Sequence, residues 1–189
     1  MKKFELTSET KINIFGKKLF RIKALVSFGV VKTGETGGWV EKEENVNQSG
    51  DAWVFGNAEV FGNARVSGDA RVFGNARVSG DARVFGNAEV FGNAEVSGDA
   101  EVSGDAEVSG NAEVSGNADY TTIHGFGTQF RTTTFFRCKD KQVKVSCGCF
   151  YGTIPEFREQ VKNTRDGKIA EEYLMIADLM EKHFAEEAK

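Results

Sequence analysis

The chain has 189 residues, and its 24 basic and 28 acidic side chains give a formal net charge of -4. This balance argues against a general nucleic-acid-binding protein, whose surface is basic. The sequence has no run of about 18 or more apolar residues, so we expect no membrane-spanning helix and no membrane partner. The three cysteines cannot all pair with one another, and reduced thiols in a cytoplasmic protein are the simplest interpretation.

Residues 1–48 are predicted to form a β-rich N-terminal cap. Three segments, 3–6, 11–15 and 19–26, read as candidate strands, and a hairpin turn is predicted at 16–18. A cap is needed because the segment that follows is a repeat, and the first layer of a repeat exposes its core and its strand edges unless something covers them.

Residues 49–120 repeat a six-residue unit twelve times, with the pattern Ser/Phe-Gly-Asn/Asp-Ala-x-Val. Ala and Val are two positions apart, so a strand directs both to one face, and the residue x between them faces outward. That outward residue is charged in every unit except the first, where it is Trp53. Gly followed by Asn or Asp supplies a corner, because these residues tolerate positive φ. The pattern predicts short strands with a narrow apolar core and a charged surface.

The repeat resembles the hexapeptide-repeat family, through Ala52, Val54 and the residues that occupy the same two positions in later units. The resemblance implies a mainly β fold, a left-handed parallel β-helix in which three units make one triangular coil. Residues 18 apart would then stack, and the repeat would form about four coils, roughly 19 Å tall for layers ~4.8 Å apart.

The whole chain is also similar to a phage- and prophage-type branch of that family. The similarity rests on the Gly-Gly-Trp39-Val-Glu41 block before the repeats and on tail motifs such as Thr132-Thr-Thr-Phe-Phe136 and Gly152-Thr-Ile-Pro-Glu-Phe157. It implies a fold and an origin, and it does not imply a reaction.

Stacking by 18 residues predicts two sets of candidate binding side chains on the outside of the coils. One is a column of phenylalanines, predicted to be covered by the C-terminal segment or a neighbouring subunit, or else to form a groove. The other is a belt of arginines, predicted to form solvated ion pairs with Glu, or else an anion site between subunits. The residues are Phe55, Phe73, Phe91, Arg65, Arg71, Arg77 and Arg83.

Residues 121–189 are predicted to be an α+β segment, with a β-hairpin followed by two helices. The hairpin pairs 130–138 with 143–151, and the first helix begins after the capping residue Thr153. The second helix is predicted over about 168–188, with one apolar stripe. The stripe consists of Ile169, Tyr173, Ile176, Met180 and Phe184.

Catalytic and metal chemistry have few candidates in this chain. Many hexapeptide-repeat proteins are trimeric acyltransferases with a histidine base, and the resemblance makes His124 the candidate here, with a simple junction residue as the alternative. Cys138, Cys147 and Cys149 are weak candidates for a metal site, and buried reduced thiols are the alternative. We predict no cofactor.

These observations favour a non-enzymatic, phage- or prophage-type binding protein. Its β-helix would display a surface to a host protein or a small nucleotide signal, and inhibition of a host defence system is the extension of that hypothesis. The alternatives are an acyltransferase that uses His124 and a structural protein that self-assembles through open β-helix ends. We expect a homo-oligomer in the bacterial cytoplasm, a trimer by resemblance or a dimer through the last helix, with no direct binding of nucleic acid.

Overall fold

The computed structural model describes residues 2–185. Three N-terminal strands precede the repeats: β1 (Phe4–Ile12), β2 (Lys18–Ala24) and β3 (Thr36–Val40). The first two form an antiparallel hairpin, and β3 pairs antiparallel with β2. The predicted strands 3–6 and 11–15 are therefore one strand, with an irregular pairing between Leu6 and Thr10. A 3₁₀ turn at Glu43–Asn45 leads into the repeats.

The repeats form eleven two-residue strands, each consisting of the outward residue and the valine that follows it. The strands are β4 (Trp53–Val54), β5 (Glu59–Val60), β6 (Arg65–Val66), β7 (Arg71–Val72), β8 (Arg77–Val78), β9 (Arg83–Val84), β10 (Glu89–Val90), β11 (Glu95–Val96), β12 (Glu101–Val102), β13 (Glu107–Val108) and β14 (Glu113–Val114). They stack in parallel into a β-solenoid with three faces. The first face contains β5, β8, β11 and β14; the second contains β4, β7, β10 and β13; the third contains β6, β9 and β12.

The predicted stacking of residues 18 apart is confirmed on all three faces. Glu59 pairs with Arg77 and Val60 with Val78, and the same spacing holds along every column. The Ala and Val side chains of these units are fully buried from Ala52 to Val114. The asparagines at one corner form the predicted amide ladder, with Nδ2···Oδ1 distances of 3.5, 3.3 and 3.4 Å.

The twelfth unit does not complete the fourth coil, which corrects the prediction of twelve equivalent units. Ala118 is exposed, and Asp119 does not stack in a strand below Glu101. Instead its carboxylate accepts hydrogen bonds from the backbone N–H groups of Ser115 and Gly116, at 2.9 and 3.0 Å. The reason lies in Tyr120, which occupies the valine position of this unit and is too large for a core built of Ala and Val.

Polar side chains close both ends of the solenoid. At the N-terminal end, some carbonyl groups of the first coil point out of the open end of the solenoid, where no preceding coil can donate to them. Side-chain donors bind these carbonyls instead. Lys3 donates to the carbonyls of Gly50 and Ala52 at 3.1 and 2.9 Å, Arg21 to that of Gly56 at 2.9 Å, and Asn45 to those of Gly62 and Ala64 at 3.2 and 2.8 Å. Burial lowers the pKa of Lys3 to about 8, although Asp51 and Asp69 act to raise it.

The C-terminal end has the opposite need, because it leaves backbone N–H groups without a following coil. Asn117 Oδ1 accepts from the N–H of Glu101 at 2.8 Å, and Thr134 Oγ1 accepts from that of Glu107 at 3.0 Å. The direction of the parallel strands therefore decides that donors cap one end and acceptors the other.

The C-terminal segment contains β15 (Tyr120–Phe126), β16 (Arg131–Arg137), β17 (Val143–Cys147), β18 (Phe150–Thr153), α1 (Ile154–Thr164) and α2 (Gly167–His183). The four strands form one antiparallel sheet, which adds β15 to the predicted hairpin and divides its predicted second strand, 143–151, into β17 and β18. Thr153 caps α1 as predicted, accepting from the N–H of Glu156 at 3.3 Å. The predicted end of the second helix near 188 lies outside the described residues. No helix in the described range is long and apolar enough to cross a membrane.

The two helices pack against this sheet through a second apolar core. Four residues of the predicted stripe on α2 are buried or nearly so: Tyr173, Ile176, Met180 and Phe184. They join Phe135 of β16 and Phe157 of α1 in a cluster separate from the solenoid core. The helices therefore belong to the C-terminal sheet and leave the outward columns of the middle coils uncovered.

Candidate functional site

The phenylalanine column is a half-buried stack on one corner of the solenoid. The rings of Phe73 and Phe91 lie parallel, with their centroids 4.7 Å apart and an interplanar angle of 2°. Phe55 packs against the end of the solenoid core. In the next layer the column continues as Ser109, which is buried. Phe73 and Phe91 thus cover one another, and this part of the column is an aromatic ladder along the corner.

Three of the four candidate arginines form ion pairs with a glutamate one layer below. Arg71 lies 3.2 Å from Glu89 and Arg83 lies 3.2 Å from Glu101. Arg77 is the most engaged, because it lies 2.7 Å from Glu95 and 4.0 Å from Glu59. These pairs follow directly from stacking by 18 residues, and each exposed pair contributes about 0.2–1 kcal/mol at most.

Arg65 differs from the other three arginines. Within residues 2–185 no carboxylate lies within 4.0 Å of its guanidinium group, and its strand neighbour in the third face is Arg83. Two like charges in register one layer apart repel each other. This column therefore begins with two adjacent arginines, and only Arg83 has a carboxylate partner, Glu101.

A groove of about 630 Å³ runs along this arginine pair at the N-terminal end of the third face. Arg65 and Arg83 lie in its wall together with Phe85, a ring at the corner that follows β9. Gln48 and Ser67 also line it. A smaller groove of about 360 Å³ lies on the other side of the same two arginines. The guanidinium groups are thus accessible from two sides.

Carboxylates also border this groove, and their partners determine its charge. Glu43 is already engaged, since it lies 2.6 Å from Lys2 and accepts a hydrogen bond from Gln48 at 3.0 Å. Glu44 is exposed and lines both grooves. The Gln48 side chain also joins the N-terminal strand, where its Oε1 accepts from the backbone of Lys3 at 2.7 Å. Glu43 is therefore paired, Glu44 leaves an exposed carboxylate at the rim, and Arg65 and Arg83 are the cations that line the larger groove.

His124 lies apart from the arginine groove, on β15 at the other end of the molecule. It is exposed, and its Nδ1 is 3.1 Å from the hydroxyl of Thr132 on the next strand. It borders a cleft of about 420 Å³ together with Asp105, Phe130 and Arg131. The histidine is therefore accessible, but Arg65 and Arg83 do not line this cleft.

The three cysteines are not brought together. Cys138 is buried against the solenoid core, where burial raises the pKa of its thiol to about 11. Cys147 ends β17 opposite Thr133, whose hydroxyl lies 3.1 Å from its sulfur, and Cys149 is exposed in the turn that follows. Cys147 and Cys149 both fall in the predicted strand 143–151, but in the structure that strand ends at Cys147. In the described range no three His, Cys, Asp or Glu residues are grouped to hold a metal ion.

Phe85, Gln48 and the 3₁₀ turn are the parts of the groove that sequence reasoning did not assign to a site. Phe85 was visible as an exception, because it is an aromatic residue in a column otherwise occupied by serine at Ser67 and Ser103. The pairing of Gln48 with the first strand had no sequence signal, since those two segments are more than 40 residues apart.

Comparison with known proteins concerns the same coils. The repeats match a family model described as the YdcK beta solenoid repeat, in overlapping stretches at residues 64–80, 70–84 and 76–90. Together these stretches include all four repeat arginines. No curated protein matches the chain. The match and the fold agree on a β-solenoid repeat scaffold.

Proposed function

We propose that this chain is a non-enzymatic binding protein whose β-solenoid holds a small anionic ligand in the groove of its third face. The observation that carries the proposal is the pair Arg65 and Arg83, adjacent in register and unequally neutralised. An anion between the two guanidinium groups would relieve their repulsion and form charge-assisted hydrogen bonds with both. The fold would therefore be more stable with such a ligand between the two arginines than without it.

The aromatic and polar lining narrows the ligand class to a phosphorylated molecule with a flat ring, such as a nucleotide. Phe85 places an aromatic side chain in the wall of the groove, and Ser67 offers a neutral hydroxyl group. Guanidinium groups match phosphate oxygens, and aromatic faces stack on bases. The groove volume of about 630 Å³ is in the range of small-molecule sites.

The biological setting we propose is a phage or prophage, as the resemblance of the chain suggests. In that setting a protein that binds a nucleotide signal tightly would lower its free concentration and so inhibit a host defence system that depends on it. Binding of a host protein to the same face is the other form of this proposal. A trimer or dimer would multiply the sites without changing their chemistry.

Isothermal titration calorimetry with nucleoside monophosphates and cyclic dinucleotides tests the proposal. We expect saturable binding that weakens about 10- to 100-fold in Arg65→Ala and Arg83→Ala, because a hydrogen bond to a charged group contributes about 1.5–3 kcal/mol. Arg71→Ala is the matched control, since Arg71 is a paired arginine on the second face. If Arg71→Ala weakens binding as strongly as Arg65→Ala, the groove is not the site.

The second candidate function is an acyltransferase, and the accessibility of His124 in its own cleft is the observation that favours it. A histidine base would need its free ring nitrogen to face the acyl acceptor, with Nδ1 held by Thr132. Titration with acyl-coenzyme A distinguishes the two functions. Binding that is lost in His124→Ala and retained in Arg65→Ala would favour the enzyme.

Self-assembly through the ends of the solenoid is the structural alternative. The side chains of Lys3 and Asn45 occupy the carbonyl groups that an added coil would need at one end, and Thr134 occupies an N–H group at the other. Stacking of copies would require these hydrogen bonds to break. Mass measurement in solution tests it: a small closed oligomer would exclude a filament.

A further inference from the structure

The turn between β1 and β2 carries a cluster of exposed apolar side chains. Ile12, Ile14 and Phe15 are 66, 76 and 58 % exposed, although they lie within four residues of one another. Hairpin turns are usually made of Gly, Asn, Asp and other polar residues, because a turn projects into water. Two isoleucines and a phenylalanine at such a position are therefore not explained by the fold alone.

The turn is built to hold these side chains outward. Asn13 is buried, and its Oδ1 accepts hydrogen bonds from the backbone N–H groups of Phe15 and Lys17, each at 3.0 Å. Its Nδ2 donates to Glu59 at 3.3 Å, which ties the turn to the first face of the solenoid. The ring of Phe15 lies 5.5 Å from that of Phe61. The apolar tip is thus a rigid projection and needs little ordering when it binds.

Lysines surround the tip, and residues 11–18 contain three of them and no acidic residue. Two of these lysines form ion pairs with carboxylates outside the tip. Lys11 lies 2.8 Å from Glu59, and Lys17 lies 3.2 Å from Glu41. In the part of the chain that the structure describes, Lys18 has no carboxylate within 4.0 Å, and its ammonium group rests over the ring of Phe20. The tip therefore combines apolar exposure with two paired lysines and one unpaired positive charge, Lys18.

The acidic last coils of the solenoid are too far away to cancel the remaining charge of Lys18. The hairpin extends the sheet of the first face at its N-terminal edge, in the order β1-β2-β3-β5-β8-β11-β14. Glu113 on β14 is five strands from β2, about 24 Å at ~4.8 Å per strand. That separation exceeds the screening length of about 8–10 Å at physiological ionic strength.

We propose that this tip, residues 11–18, inserts into the surface of an anionic lipid bilayer. The tip is convex and offers only three large apolar side chains, whereas a stable protein interface buries about 800 Å² on each partner. A bilayer needs no complementary pocket, and shallow insertion of apolar side chains with lysines at the headgroups is how peripheral elements bind membranes. The protein would lie on the membrane through this tip and would not span it, so this proposal replaces the expectation of no membrane partner.

Co-sedimentation of the full chain with large unilamellar vesicles tests the proposal. The vesicles are phosphatidylcholine with one quarter phosphatidylglycerol, compared with phosphatidylcholine alone. We expect partitioning onto the anionic vesicles that falls at high salt and is weak or absent on neutral ones. Ile14→Ser should lower the partition coefficient roughly tenfold, because burial of one such side chain contributes about that factor. Lys18→Ser should lower it by a smaller factor on anionic vesicles only.

Leu179→Ser is the matched control, since Leu179 on α2 is 57 % exposed and lies outside the tip. It should partition as the natural chain does. Both substituted side chains are largely exposed, and circular dichroism checks that each variant folds. The proposal is overturned if anionic vesicles do not bind the chain, or if Ile14→Ser binds them unchanged. It is also overturned if the chain does not partition onto vesicles and Ile14→Ser instead abolishes self-association or capture of an acidic protein.

Discussion

Two columns of the same solenoid, built from the same repeat unit, differ in how far the charges of their arginines are neutralised. On the first face Arg77 lies between Glu59 and Glu95, and Lys139 adds a second cation to Glu95 at 2.7 Å. On the third face Arg65 lies beside Arg83, and only the latter has a carboxylate partner among the residues described. The first layer carries Glu59 on the first face and Arg65 on the third, and this difference separates a neutralised column from the column that we propose to bind an anion.

The N-terminal ends of the two faces differ as well. The first face is continued by β3, β2 and β1, so its upper part is covered by the hairpin. The third face ends at a single bridge between Val46 and Val66 next to the 3₁₀ turn. Because no strand continues the third face, a groove remains above its arginines. The cap that closes the solenoid therefore also decides which column stays accessible.

The largest effect is expected at the residue that closes the third face. Asn45→Ala should lower the free energy of unfolding by about 2–4 kcal/mol, because it leaves the buried carbonyls of Gly62 and Ala64 without their side-chain donor. Urea unfolding measures the change. Asn47→Ala is the control on an exposed neighbour and should cost less than about 1 kcal/mol. Equal effects of the two substitutions would show that Asn45 does not close the face.

The next effect tests the neutralised column. Arg77→Glu should destabilise the fold by about 1–2 kcal/mol, because it removes two ion pairs and places a carboxylate between Glu59 and Glu95. The loss should shrink in high salt, which screens the added repulsion. Thermal unfolding at low and high ionic strength measures it. A loss that is independent of salt would mean that packing of the arginine stem is responsible.

The equivalent change on the third face should have the opposite sign. Arg65→Glu replaces a repulsive neighbour of Arg83 with an attractive one, so the unliganded fold should become more stable by about 0.2–1 kcal/mol. The same variant should bind nucleotides less tightly than Arg65→Ala does. Destabilisation by Arg65→Glu would contradict our description of this column as an unrelieved arginine pair.

The smallest effect is on the dependence of stability on pH. Burial acts to raise the pKa of Glu95, but hydrogen bonds and charges from Lys139 and Arg77 together lower that pKa below its ordinary 4.5. An acid with a lowered pKa stabilises the fold above its unfolded pKa, and this contribution disappears as pH falls through the folded pKa. Glu95→Gln should therefore flatten the acid side of the stability profile by less than about 1 kcal/mol.

Glu113→Gln is the control for that measurement, because Glu113 is exposed and no ion pair involves it within residues 2–185. Its stability profile should follow that of the natural chain between pH 3 and 6. Chemical unfolding at each pH provides both profiles. A flattening of equal size in the two variants would assign the effect to net charge and not to the Glu95 contacts.

Much of the solenoid could be predicted because its information is periodic. Val60 and Val78 stack because the unit has six residues and a coil has three units. The outward columns and the arginine–glutamate pairs follow from the same arithmetic. The prediction failed at Tyr120, where a residue too large for the core ends the last coil. It also missed β15, since residues 121–126 resemble a loop when they are considered without their partner β16, and it joined β17 and the start of β18 into one strand.

The candidate site was predicted in part. Arg65 and Arg83 were both candidates, but we predicted that all four arginines form one belt. The stacking of Arg65 on Arg83 follows from the 18-residue spacing, whereas the groove beside them depends on the 3₁₀ turn and the end of the third face. The phenylalanine column was predicted as a possible groove, whereas the groove lies beside Phe85.

By itself, the sequence determined the β-solenoid, the register of its columns and the pairing of most of its charges, because a repeat makes each neighbour a fixed number of residues away. Only the tertiary structure decided which ends are closed, which column stays open, and that the hairpin tip faces water. Those features depend on contacts between segments far apart in the chain, such as Lys3 with Ala52 and Asn13 with Glu59. Such contacts follow from packing in three dimensions, and no local pattern of residues encodes them.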